Sequence, residues 1–269
     1  MKKLTPIILL LFISTLLNAQ SDLLITPYRV IFEGSKKMEE VSVANTGEDT
    51  ARYAINFVQY RMTEEGKLEQ IQEADAGQYF ADRYVRVFPR TITLGPNEAQ
   101  IVRLQVKAPA DLAVAEYRSH LYFRSIVDEE APGTETDADT SLGIKLTPVY
   151  GITIPVIMRV GELDLKTGIE QVEMSYDPVP ALKFNITRQG SKSAFGDVEV
   201  NYIDAQGKIT KVGSVKGVAV YTPLSFRRFT IPLDTTAVTD FRQGQLRISY
   251  STPGGKKSEL MAEFTYKPL

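Results

Sequence analysis

Hydrophobic and polar residues alternate with a period of two in many short stretches of this chain. In AQIVRLQVK, residues 99–107, Val102, Leu104 and Val106 fall on one side and more polar residues on the other. Alternation of this kind predicts a β-strand with one buried face. The same reasoning predicts further strands at residues 26–34, 39–45, 52–60, 85–88, 91–94, 117–127, 141–147, 151–159, 181–187, 197–203, 228–232, 244–251 and 259–266.

Turn-forming residues separate these stretches at short intervals, and no segment shows a sustained helical period. Gly95-Pro96-Asn97 is one such turn, and DAQG at 204–207 and PGG at 253–255 are others. Many short strands with frequent turns are typical of β-sandwiches. The sequence therefore predicts an all-β fold with two β-sandwiches in tandem.

The division between the two sandwiches is predicted from an acidic segment. Residues 128–141, DEEAPGTETDADTS, contain no large apolar side chain and cannot bury surface, so we expect a loop or linker there. The strand at 141–147 then closes the first domain. These patterns predict a first domain over residues 20–150 and a second over 151–269.

The first nineteen residues have the pattern of a secretory signal peptide rather than of a folded element. Lys2 and Lys3 precede an apolar run, and Ala19 offers a small residue at the cleavage position. A membrane anchor is the alternative, but the run is short, since a spanning helix needs about 20 apolar residues. The pattern predicts removal of residues 1–19 and secretion of the remaining chain.

Composition narrows the chemistry that this chain can perform. The formal net charge is −2, and there is no Cys, no Trp and one His. Thiol chemistry and Cys–His metal sites are excluded, and nothing favours binding to nucleic acid or insertion into a membrane. A Ser-His-Asp triad would require His120, which lies in YRSHLYF, the pattern of a buried strand. We therefore expect no enzyme, no metal site and no cofactor.

One charged residue does not fit the strand pattern around it. Arg29 lies in the middle of TPYRVIFEG and shares a strand face with Ile31, which has the character of a core residue. The residues alone leave two interpretations open. The guanidinium either has a binding role or belongs to an edge strand with its head in water.

Several stretches, taken in order, resemble the periplasmic chaperones of the chaperone–usher pilus pathway. They are TPYRVIFEGSKKMEEVSVANTGED, VRVFPRTITLGPNEAQIVRLQV, EYRSHLYFRSI and SLGIKLTPVYGITIPV, which together span residues 23 to 158. The resemblance implies two immunoglobulin-like sandwiches. It also implies binding of pilin-like fibre subunits that have an incomplete sandwich. Whether an outer-membrane usher is a second partner is left open.

The resemblance assigns roles to particular residues. Family members fill the subunit's incomplete sandwich with one of their own strands, which is strand addition to an open edge. Leu142, Ile144 and Leu146 alternate with Gly143 and Lys145 and match that donor strand. Arg29 matches the family's anchor for the carboxylate at the subunit's C-terminus, a role that suits its planar guanidinium.

The sequence departs from the family pattern at two points. The second anchor, a Lys, would fall near Gly151, where no Lys is present, and the charged pairs between the domains are not evident. Two rival interpretations therefore stand. The chain is either a periplasmic chaperone that binds fibre subunits, or a structural or adhesive module of a surface assembly.

Overall fold

In a computed structural model of this protein, residues 23–126 and 150–268 are described. These ranges form strands joined by turns, with one turn of 3-10 helix at Gly255–Lys257. The strands are β1 (Leu23–Thr26), β2 (Val30–Phe32), β3 (Met38–Asn45), β4 (Ala51–Met62), β5 (Leu68–Ile71), β6 (Val85–Phe88), β7 (Thr91–Leu94), β8 (Ala99–Val106), β9 (Ala115–Ile126), β10 (Gly151–Val160), β11 (Lys166–Ser175), β12 (Ala181–Gln189), β13 (Ala194–Ile203), β14 (Ile209–Val220), β15 (Phe226–Pro232), β16 (Gln245–Ser251) and β17 (Leu260–Tyr266).

Strands β1 to β10 form the first sandwich. One sheet has the order β1-β3-β8-β6, and the other has the order β2-β10-β9-β4-β5 with β7 paired to β4. The alternating residues of the facing strands meet between the sheets, and Val43, Leu104, Leu121 and Val156 are among the fully buried side chains. Burial of such side chains stabilises the fold by about 1.5–3 kcal/mol each.

The stretch around Arg29 is two strands rather than one. Strand β1 pairs with β3 in one sheet, whereas β2 pairs with β10 in the other. Pro27 lies between them and has no N–H to donate to a ladder, which accounts for the break. Arg29 therefore lies immediately before β2, on the side of Ile31. The sequence suggested that this side faces the core of the first sandwich. It does not, because the core side of the strand is occupied by Val30 and Phe32.

Strand β10 belongs to the first sandwich. It pairs with β9 along its whole length, from Gly151 opposite Arg124 to Val160 opposite Ala115, and with β2 at one end. We therefore place the boundary after Val160 and not after residue 150. The sequence did not indicate this membership, because Pro155 lies within the strand and a Pro is typical of edge strands rather than central ones.

Strands β11 to β17 form the second sandwich. One sheet has the order β11-β12-β15, and the other has the order β14-β13-β16-β17. Leu182, Val200, Ile248 and Tyr250 lie in its core. The turn predicted at residues 204–207 joins β13 and β14, and Asp204 Oδ1 accepts hydrogen bonds from the backbone N–H groups of Gln206 and Lys208.

The two sandwiches touch each other at several places. Ile31 and Ile157 of the first sandwich pack with Phe195, Ala219 and Tyr221 of the second. The turn between β4 and β5 also reaches β15, where the backbone N–H of residue 228 donates to the carbonyl of residue 64 at 2.7 Å. These contacts enclose a cleft between the sandwiches.

Most strands predicted from alternation are confirmed, including β3, β8, β13 and β16. The predicted signal segment, the acidic segment and the donor residues Leu142, Ile144 and Leu146 lie outside the described residues. Within the described ranges, no helix is long and apolar enough to cross a membrane. The same ranges contain no cluster of three or more His, Cys, Asp or Glu side chains suited to a metal ion.

Candidate binding cleft between the two sandwiches

The cleft is lined by the outer face of β9, which the second sandwich covers. Residues 117, 121 and 123 point into the first sandwich. Because strand side chains alternate, Glu116, Arg118 and His120 lie on the opposite face. All three are buried, with at most 3% of each exposed. Charged residues on one face of a strand predict that this face is exposed to water, but in this protein the second sandwich covers it.

Arg29 lies in this cleft. Its guanidinium carbon is 4.2 Å from the ring centre of Phe195 and 5.6 Å from that of Tyr221. Its Nη1 makes one long hydrogen bond of 3.4 Å to the Tyr221 hydroxyl. Burial lowers the pKa of Arg29 from its ordinary value, and Tyr221 and Glu116 partly oppose that effect. The guanidinium thus lies between the sandwiches, and the interpretation as an edge arginine with its head in water is wrong.

Arg118 lies beside the same tyrosine and is more deeply buried. It is 2% exposed, and its guanidinium carbon is 4.3 Å from the ring centre of Tyr221. Its single hydrogen bond to the described residues runs from Nη2 to the carbonyl of Thr222 at 3.5 Å. Burial lowers its pKa, but an arginine stays protonated in proteins. The cleft therefore holds a second positive charge, which sequence reasoning did not assign.

The two guanidiniums have donors that the described residues do not satisfy. Nε and Nη2 of Arg29, and Nε and Nη1 of Arg118, are buried without a hydrogen-bond partner among those residues. Buried polar groups in proteins are nearly always paired, and an unpaired charged group is costly. Unpaired donors of this kind mark a place suited to an anion.

His120 is the next residue on the same face and is uncharged. Its ring is 5.0 Å from that of Tyr60 in an edge-to-face arrangement. Burial, together with the positive charges of Arg118 and Arg29, lowers its pKa to about 3. Neither ring nitrogen has a hydrogen-bond partner among the described residues, so His120 does not have the contacts of a catalytic base.

A second group of charges in the cleft is fully paired. Arg159 Nε donates to Glu116 at 3.1 Å, and Arg159 Nη1 donates to Glu33 at 3.0 Å. From the second sandwich, the backbone N–H of Ser193 donates to Glu116 at 3.2 Å, its hydroxyl also donates to that carboxylate, and Lys192 pairs with Glu33. A charged pair between the domains, which is not evident in the sequence, is therefore present in the structure.

The register of β9 and β10 explains that network. Arg159 lies directly opposite Glu116 in the antiparallel pair. Opposite charges at paired positions attract across a sheet, but the pairing is visible only when the register is known. The sequence places Glu116 in one strand and Arg159 in the other, but only the β9–β10 register shows that they lie opposite each other.

Gly151 marks the place where the second family anchor was expected. A Cβ atom built there would lie 2.2 Å from the ring of Tyr122, so a side chain requires Tyr122 to turn away. The aromatic ring of the neighbouring strand fills the space that a lysine stem would need. Gly151 therefore supplies no cation to the cleft.

One edge of β10 has no strand partner among the described residues where the cleft begins, and we call it the open edge. Strand β2 pairs with β10 only at Val156–Met158. Among the described residues, no strand pairs with the same edge over residues 151–155. Because Val30 lies opposite Val156, Arg29 lies at the point where the open edge ends.

Comparisons with known proteins give structural similarity only. Neither a protein-family model nor a curated protein matches this chain. Among solved structures, the YadV chaperone is 11% identical with a TM-score of 0.47, covering 92% of this chain and 100% of its own. The CfaA chaperone of class 5 fimbriae is 17% identical with a TM-score of 0.41, covering 92% and 100%. The Pseudomonas aeruginosa CupB2 chaperone is 13% identical with a TM-score of 0.41, covering 90% and 98%. At these values the matches do not by themselves assign a function to this chain.

Proposed function

We propose that this protein is a periplasmic chaperone that binds fibre subunits by donor-strand complementation before their assembly. The observation that carries the proposal is the open edge of β10 at residues 151–155, which ends beside the Arg29 guanidinium. An unpaired strand edge offers a row of backbone donors and acceptors to another chain. A guanidinium at its end offers a partner for that chain's terminal carboxylate.

The direction of an added strand follows from the pairing. Strand β2 runs parallel to β10, with Val30 opposite Val156. A strand that occupies residues 151–155 of the same edge and ends at Arg29 would also run parallel to β10. The subunit's last strand therefore lies beside the chaperone strand with its carboxylate towards the cleft. This arrangement gives the anchor a physical purpose, since it fixes the register of the pairing.

The donor side chains of the proposal are Leu142, Ile144 and Leu146. They precede β10 in the chain and alternate with Gly143 and Lys145. Three apolar side chains on one strand face suit the open groove of an incomplete sandwich, because each buries apolar surface that the subunit would otherwise expose. Covering that groove prevents subunits from aggregating through it.

Capture from the native periplasm tests the proposal. The tagged mature protein is purified from periplasmic extract beside Arg29→Ala, and bound proteins are identified by mass spectrometry. Arg103→Ala is the matched control. Arg103 is exposed and pairs with Glu40, and both residues lie on the sheet that does not contain β10. We expect a small β-rich subunit bound one to one by the wild type and the control, and lost from Arg29→Ala.

A finished surface protein bound equally by all three would overturn the proposal. It would favour the rival interpretation, a structural or adhesive module of a surface assembly.

The donor role has its own test in the same experiment. Ile144→Asp should abolish capture, because it introduces a charge into an apolar groove without a partner. Lys145→Asp carries the same new side chain on the alternate position and should retain capture. Equal capture by Ile144→Asp and the wild type would remove these residues from the mechanism.

A further inference from the structure

Two arginines from different elements approach one tyrosine of the second sandwich. Arg29 precedes β2 and Arg118 lies in β9, whereas Tyr221 follows β14. The guanidinium carbons are 5.6 and 4.3 Å from the centre of the tyrosine ring. The positive charge of Arg29 also lowers the pKa of Arg118, so the two charges lie within electrostatic reach of each other.

The carboxylate that faces both arginines is already engaged. Glu116 interacts electrostatically with Arg29 and Arg118, but its oxygens accept hydrogen bonds from Arg159 and Ser193. Among the described residues, neither arginine forms an ion pair. Two buried positive charges near each other repel, and their unpaired donors lack compensation. A bound anion would relieve both effects.

The unpaired atoms have the arrangement that a carboxylate requires. Nε and Nη2 of Arg29 form one edge of its planar fork, and both are without a partner among the described residues. That edge is the one that binds a carboxylate through two parallel hydrogen bonds. A carboxylate has about four lone-pair sites, so it retains capacity for a further donor from a second arginine.

We propose that Arg118 is the second anchoring residue and that Arg29 and Arg118 bind one carboxylate beside Tyr221. This inference rests on the proposed function, in which the carboxylate is the C-terminus of a subunit. The family's second anchor would fall near Gly151 on β10, where the ring of Tyr122 leaves no room for a side chain. The inference places the second positive charge on β9 instead. Since Tyr221 belongs to the second sandwich, the anchor is formed by both domains.

The test needs no identified subunit. The probe is a synthetic N-acetylated hexapeptide of alternating valine and threonine, prepared with a free terminal carboxylate and as the terminal amide. Arginine Nε–Hε resonances of the full mature protein are followed by NMR during titration. Arg29→Lys and Arg118→Lys assign the two signals. We expect the free acid to shift both signals and the amide to shift neither.

Variants measure the contribution of Arg118 to this binding. Arg118→Gln should weaken the free acid about tenfold to a hundredfold, because a charge-assisted hydrogen bond is lost. Arg118→Lys, which keeps the charge, should recover part of that loss. Arg103→Gln removes an exposed guanidinium on the other sheet and should change nothing.

Two results would overturn the inference. One is a free acid that shifts only the Arg29 signal or neither signal; the other is equal binding of the acid and the amide. The wild-type Arg118 signal decides the question even if Arg118→Gln does not fold. Failure of the proposed function is a separate outcome. Peptide binding that depends on Arg118, with no subunit captured from the periplasm, rejects the chaperone role alone.

Discussion

Glu116 and Arg118 lie two positions apart on the same face of β9, and both are buried between the sandwiches. Their surroundings differ. Glu116 accepts hydrogen bonds from Arg159 of the first sandwich and from Ser193 of the second, so groups from both domains satisfy its charge. Arg118 has a single long hydrogen bond to a carbonyl and two unpaired nitrogens among the described residues.

The difference separates two uses of buried charge. A paired group holds the sandwiches together, because breaking one partner leaves the other charge buried without compensation. An unpaired group contributes little to stability by its contacts, and under the proposal above its function is to bind a carboxylate. If the proposal is right, the same strand carries a structural site and a binding site, and mutations should separate them.

The largest expected effect is on the paired site. Glu116→Ala leaves the 8%-exposed side chain of Arg159 with Glu33 as its remaining acidic partner, so the free energy of unfolding should fall by about 3–5 kcal/mol. Urea denaturation at neutral pH measures it. Glu40→Ala removes an exposed partner of Arg103 and should cost at most about 1 kcal/mol. Similar losses in both variants would contradict a structural role for Glu116.

The next effect concerns His120 and depends on pH. Its pKa is about 3 in the folded protein and 6.5 in its ordinary environment. The unfolded chain therefore binds a proton below pH 6.5 that the folded protein excludes. The stability contribution is complete above pH 6.5 and declines as pH falls towards 3, by about 1.4 kcal/mol per pH unit.

His120→Gln should remove that component of the pH dependence. Unfolding free energies of both proteins are compared at pH 7.5, 5.5 and 4.5, so that contributions from carboxyl groups cancel in the difference. We expect the wild type to lose stability relative to the variant as pH falls. Parallel curves would show that His120 is protonated in the folded protein.

The smallest effect on stability is expected at Arg118. Arg118→Met removes a buried charge without a pairing partner and keeps an apolar side chain of similar length. The unfolding free energy should therefore stay within about 1 kcal/mol of the wild type, or rise. Arg188 is the matched contrast, since its guanidinium donates to the carbonyls of residues 190, 223 and 224. Arg188→Met should be clearly destabilised in the same urea titration.

The sequence predicted local structure better than contacts between distant segments. The strict alternation around Leu104 identified β8, and the same reasoning located most strands. Strand β14, ITKVGSVKGVAV, was missed because its polar and small residues do not alternate cleanly. The membership of β10 in the first sheet was not predicted for two reasons. Pro155 is atypical of a central strand, and the parallel partner β2 is far away in the sequence.

The candidate site was predictable only in part. Arg29 could be singled out because a guanidinium disagreed with its apolar neighbours. Arg118 and Glu116 could not be distinguished, since both alternate with core residues in one strand. Their different surroundings depend on Arg159, Ser193 and Tyr221, which only the three-dimensional arrangement brings to them.

The most direct test of a binding role for the unpaired charges compares Arg118→Met and Arg188→Met with the wild type. Urea unfolding gives the midpoint for each protein. In a separate experiment, each folded protein is titrated with the valine–threonine peptide as free acid and as amide. We expect Arg118→Met to keep the wild-type midpoint and to lose the preference for the free acid. A midpoint that falls as far as that of Arg188→Met, with the preference intact, would show that Arg118 is a structural residue and not an anchor.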